Sequence, residues 1–164
     1  MTVQRKNHQV LEDQVGFDPI DSQELAEKPN SRYLGSKPKL YSRYRFKYSN
    51  KVSLGFTAEK DQGEEFFSGS QQNGFDFYSA HLFIQGFGKL KRLAIGDYQL
   101  QLGQGLNCWT GLGFGKSSAV IGIKKNPQLI RPYTSVGENA FMRGAATTIN
   151  IKDFDITAFY SNKN

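Results

Sequence analysis

Cysteine occurs once in the 164 residues, at Cys108, so no internal disulfide and no cysteine-rich metal site can form. Histidine occurs twice, at His8 and His81, far apart in sequence. Proline is scarce, and no run of roughly 18 apolar residues is present, which excludes a transmembrane helix. The opening residues, MTVQRKNHQVLEDQ, lack the apolar core of a signal peptide. The chain is therefore expected either to be cytoplasmic or to start inside a longer one.

Aromatic residues and glycine are abundant by contrast: 13% aromatic and 17 Gly against a modest aliphatic content. That balance favours strands joined by turns over a helical bundle. The length suits one domain with a sizeable core. A mean hydropathy of −0.55 points towards water. It leaves room for a transmembrane β-barrel, whose strands are apolar only at every second residue. The formal net charge is +6, with basic residues scattered along the chain, which admits nucleic acid, anionic lipid or anionic solutes as partners.

Residues 1–37 form a polar, poorly patterned N-terminal segment, in which QRKNHQVLEDQVGF reads as a short helix or a strand end and DPIDSQELAEKPNS as a loop closed by Pro29. From residue 38 the pattern alternates. In KLYSRYRFKY (39–48), Leu40, Ser42, Tyr44, Phe46 and Tyr48 share one face, and Tyr41, Arg43, Arg45 and Lys47 the other. Period 2 predicts a strand. VSLGFTAEK (52–60) alternates likewise after the turn SNK, giving a hairpin. A second pair is predicted at 75–85 and 90–102, and a third at 140–150 and 154–161. On 90–102 the apolar face carries Ala94, Gly96, Tyr98, Leu100 and Leu102, against Asp97, Gln99 and Gln101.

The connections alternate in length: short near 50, long at 61–74, short near 87, long at 103–139, short near 152. Strands of about 9–12 residues with this alternation mark an up-and-down transmembrane β-barrel, short turns periplasmic and long loops outside. The expected fold class is all-β, an antiparallel up-and-down meander forming part of such a barrel. Six strands are too few for closure, so residues 38–164 are expected to be a partial outer-membrane barrel of about six strands, a fragment of a larger one. A soluble all-β binding module is the alternative.

GLGFGKSS (111–118) has the look of a phosphate-binding loop, but the pattern requires glycine where Thr110 stands. The residues that follow, AVIGIKKNP, are β-branched and glycine-broken, so no helix dipole would face an anion. The spacing of Gly111, Gly113 and Gly115 also misses the dinucleotide fingerprint. A rim loop or an inward fold accounts for the glycines, with Lys116 a rim charge. Asp61, Glu64 and Glu65 form an acidic loop without a positioned catalytic partner, at most a weak cation site. His81 shares a face with Ser79 and Phe83 and reads as a hydrogen-bonded interior residue. Cys108, beside Trp109, reads as an apolar or interfacial thiol. No catalytic constellation emerges, so no enzymatic activity and no cofactor or metal are expected.

If the apolar faces meet lipid, Arg43, Arg45, Lys47, Glu59, Asp97 and Arg143 point into the lumen. There they either pair in a plugging network or line a water channel. Tyr44, Tyr48, Phe56, Tyr98, Phe154 and Tyr160 would then stand outward in interfacial girdles.

Several long runs support a resemblance over residues 31–161: YLGSKPKLYSRYRFKYSN, FTAEKDQGEEFFSGSQQNGFDFYSAHLF, IGDYQLQLGQGL, GLGFGKSS and RPYTSVGENAFMRGAATT. These resemble a family of Bacteroidota outer-membrane proteins with an N-terminal helix-hairpin-helix domain followed by a large β-barrel. The resemblance implies location in the cell outer membrane, contact with outer-membrane lipid, and a structural or transport role without catalysis. The helix-hairpin-helix part is similar to DNA-binding domains of competence proteins, which implies DNA as a partner through a domain absent from this chain. On this basis the expected role is a pore or translocation path for DNA or another polyanion. The chain departs from the family pattern at Gly137 and Ala140, where an acidic residue and an arginine would be expected.

Overall fold

A computed structural model describes residues 2–10, 33, 35–69, 71–106, 108–110, 124–137 and 139–163, the first of these stretches as backbone alone. Among the described residues eight strands form one antiparallel sheet: β1 (Thr2–Val10), β2 (Lys39–Tyr48), β3 (Val52–Lys60), β4 (Phe77–Phe87), β5 (Leu90–Gln101), β6 (Leu129–Pro132), β7 (Met142–Ile151) and β8 (Phe154–Ser161). Their order is β1-β2-β3-β4-β5-β7-β8, with β6 paired to β5. The fold is an all-β meander, and among the described residues it contains no helix. Among those residues no ladder joins β1 to β8, so the sheet is open.

The three hairpins fall where alternation predicts them. Ser49 and Lys152 adopt left-handed backbone in the turns of the first and third, the conformation that tight hairpins require. Two strands go beyond the six predicted. β1 arises from polar sequence, and β6 is four residues long and ends in Pro132. β4 begins at Phe77 rather than at residue 75. Phe75 instead packs edge-on against Phe66 and Tyr78, with ring centroids 5.2 and 5.8 Å away. Residues 111–118, the glycine-rich motif, lie outside the described residues.

The chain divides into two compact units. One contains Met1–Gln4, Arg45–Phe56 and Ser79–Asn164; the other contains Arg5–Tyr44 and Thr57–Tyr78. In the first, Phe83, Ala94, Tyr98, Leu100, Ile130 and Ala146 form an apolar cluster, with Leu102, Cys108 and Met142 packed against it. Cross-strand register builds the cluster, since Ala94 stands opposite both Phe83 and Ala146, and Leu100 opposite Ile130. Here the side that carries Ala94 and Tyr98 is enclosed, and Tyr98 is wholly buried. The expectation that Tyr98 stands outward in an aromatic girdle is thus corrected.

In the second unit, the 61–76 connection is packed. Two backbone hydrogen bonds tie it to the chain before β2, Gly35 N–H donating to the Gly63 carbonyl at 3.0 Å and Gly63 N–H to the Ser36 carbonyl at 3.2 Å. A side chain at Gly35 would collide with the backbone of Glu64. The Lys60 ammonium is buried and donates to the carbonyls of Ser36, Pro38 and Asp61 at 3.3, 3.1 and 2.9 Å. A buried ammonium must be satisfied in this way, because an unpaired one is prohibitively costly. Lys60 thereby fastens the chain entering β2 to the end of β3.

Candidate polar face and its ion pairs

On β3, Gly55 alternates with Ser53, Thr57 and Glu59. The His81 imidazole lies against Gly55, and its Nε2 is 3.4 Å from the Ser53 hydroxyl. His81 is buried together with Ser79 and Phe83 on β4, as an interior histidine should be. It stands opposite Gly96 on β5, which in turn stands opposite Gly144 on β7. Further along that side, Thr148 on β7 shares a 2.9 Å hydroxyl contact with Thr157 on β8. Thr57, Glu59, Ser79, His81 and Thr148 are all buried.

The reverse side presents large apolar residues to the surroundings. Leu54 and Phe56 on β3 are exposed, as are Ile95 on β5, Ile149 and Ile151 on β7, and Phe154, Ile156 and Tyr160 on β8. Adjacent residues show the contrast: Ala94 is 1% exposed and Ile95 is 47%. On β7 the outward residues from Ala145 to Ile151 make a band about 20 Å long at a rise near 3.4 Å per residue.

The candidate charges divide between these environments. Glu59 is paired with Lys39 at 2.8 Å, and Lys39 also reaches Asp61 at 2.6 Å. Arg43, Arg45 and Lys47 alternate with Lys39 on one side of β2. Among the described residues none of the three has a carboxylate partner. The Arg43 guanidinium sits 5.1 Å from the Tyr41 ring, and its buried Nε meets no acceptor among those residues.

Asp97 and Arg143 do not join the His81 side. Their register is one residue past the Gly96–Gly144 pair, so both fall on the side of Ile95 and Ala145. They form a pair on the side of Ile95 and Ala145, apart from Glu59, because a one-residue step along a strand reverses the face. The pair is bidentate, Arg143 Nε to Asp97 Oδ1 at 2.7 Å and Nη2 to Oδ2 at 2.9 Å. Arg143 also lies 5.4 Å from the Phe141 ring, and the Lys163 ammonium lies over the same ring at 4.2 Å. Charge thus gathers where the apolar band ends.

The acidic loop is internally tied. Asp61 bonds Lys39, and its backbone N–H donates to Glu64 Oε2 at 3.0 Å. Among the described residues no three Asp, Glu, His or Cys side chains converge as metal ligands. Cys108 is half-buried against the apolar cluster.

These features define the class as an antiparallel all-β meander whose enclosed side mixes the apolar cluster with polar residues such as Ser79, His81 and Thr148, and whose reverse side exposes large apolar residues. No protein-family model matches the chain, and no curated protein or solved structure is significantly similar to it.

Proposed function

We propose that the sheet is part of the wall of an outer-membrane β-barrel, its apolar side towards lipid and its polar side towards an interior. The role is structural or transport, without catalysis. The observation that carries this reading is the row of large apolar residues left exposed on one side of the sheet. Leu54, Phe56, Ile95, Ile149, Ile151 and Ile156 are exposed, while Ser79, His81 and Thr148 are enclosed beside the apolar cluster on the other side. In water such a contiguous apolar surface is a liability; in a bilayer it is the stable face. Alternating connection lengths support the same reading, as does the limit of the apolar band at Asp97 and Arg143.

Within that reading the row Arg43, Arg45 and Lys47, which has no carboxylate partner among the described residues, favours anions as the transported class, DNA or another polyanion among them. Three cations on one side of a strand attract and concentrate anionic solutes. The test is reconstitution of the protein in planar bilayers. Anion-selective conductance is expected, and Arg43→Glu with Arg45→Glu should shift the reversal potential towards cations. A protein that is monodisperse in plain buffer and does not insert into vesicles defeats the barrel reading. Conductance indifferent to the double variant defeats the basic lining alone.

A further inference from the structure

Where the chain folds back beyond β5, a cavity of about 520 Å³ opens beside Gln99 and Gln101, with Trp109, Lys125, Arg131 and Tyr133 among its walls. That size is within the usual range of small-molecule sites. Its described lining holds two cations and no acidic residue. Neither Lys125 nor Arg131 has a carboxylate partner among the described residues. The remaining polar groups are mostly amides and hydroxyls. Gln101 accepts the Gln128 N–H at 3.2 Å through its oxygen, which leaves its Nε2 hydrogens to donate elsewhere. Gln99 is held by donating to the Ala140 carbonyl at 2.8 Å. These amides are nearly buried and so are fixed in position.

We infer that this cavity binds an acidic sugar, a carboxylate- or sulfate-bearing saccharide unit whose anion meets Arg131 and Lys125 and whose hydroxyls meet the amides. A bare oxyanion would leave most of the volume unfilled. A nucleobase would need an open aromatic platform. The Tyr133 ring is buried, stacked on Phe141 at 4.6 Å, and one face of Trp109 carries the Lys125 ammonium at 4.8 Å. Recognition therefore rests on charge and hydrogen bonds. A planar guanidinium suits a carboxylate or sulfate, which it can engage through two parallel bonds. The inference does not depend on which medium covers the apolar side of the sheet.

Trp109 is the single tryptophan of the chain, so its emission reports this cavity directly. The experiment titrates the whole protein with a galacturonate trisaccharide and a heparin-derived disaccharide, then with maltotriose, inorganic sulfate and a short single-stranded oligonucleotide. A saturable change in emission is expected with at least one acidic saccharide, at concentrations at least about tenfold below those of the three controls. The two acidic probes show whether carboxylate or sulfate is preferred. Arg131→Gln should weaken binding by about tenfold or more, a loss typical of one charge-assisted contact. Arg131→Lys should retain part of it. An unchanged emission maximum in the absence of ligand shows that each variant keeps the cavity. Failure of both acidic saccharides, equal binding of maltotriose, sulfate or the oligonucleotide, or an Arg131→Gln variant with native affinity overturns the assignment.

Discussion

The imidazole of His81 occupies the space that a side chain at Gly55 would need: a Cβ there would collide with the His81 ring. Glycine at this position is thus a packing requirement of the neighbouring strand. Gly55→Ala should displace the ring and its contact with Ser53, costing about 2 kcal/mol, the usual penalty for overpacking. In a His81→Ala background the same substitution should be nearly neutral. A double-mutant cycle by urea unfolding, in the medium that keeps the protein monodisperse, measures the coupling. Additive effects would show that the two residues do not share this space.

The Asp97–Arg143 pair should respond unequally to the loss of either partner. Side-chain exposure is 2% for Asp97 and 47% for Arg143. Removing Arg143 strands a buried carboxylate, for which about 3 kcal/mol is expected. Removing Asp97 leaves an arginine already half in contact with its surroundings, and about 1 kcal/mol is expected. Unfolding of Arg143→Ala and Asp97→Ala tests this order. Asp97→Ala as the more damaging change would contradict the burial argument.

Tyr98 reaches across β7 to β8, its hydroxyl donating to the Tyr160 carbonyl at 2.9 Å. Tyr98→Phe removes one hydrogen bond and keeps the ring, so about 1 kcal/mol should be lost. Tyr98→Ala also empties a position fully enclosed by the apolar cluster, and about 3–5 kcal/mol is expected. Equal losses in the two variants would mean that the ring contributes nothing to packing.

Period-2 alternation made the three hairpins legible, because each pairs an apolar row with a polar one. It could not say which row is enclosed. On β5 the sequence Ala94, Gly96, Tyr98, Leu100 reads as an outward apolar row. Register with Phe83 and Ala146 encloses it and turns Ile95 outward instead. That choice depends on partners distant in sequence, and the same dependence separates Asp97 and Arg143 from the other candidate charges. β6 was illegible for another reason: four residues ending in proline carry no periodic signal, and its pairing is imposed by β5. The Arg131–Lys125 cavity was hidden likewise, since its walls come from segments that only the folded chain brings together. The fastening of Lys60 by three carbonyls leaves no trace in residue type at all.

Glu64 gives the chain a pH response outside its strands. Burial raises the pKa of this carboxyl above its ordinary value; the Asp61 backbone N–H opposes the rise, and the Asp76 side chain and the Asp61 charge reinforce it. A carboxyl with a raised pKa in the folded state favours folding when protonated. Its contribution is fully present below the unfolded pKa, near 4.3, and is lost as pH climbs through the folded value. Glu64→Gln imitates the protonated form and keeps an oxygen to accept from Asp61. The variant should therefore melt above the native protein at pH 7, and the two should converge near pH 4. Melting curves at both pH values decide the matter, and a native protein that melts above Glu64→Gln at pH 7 would reverse the sign of the argument.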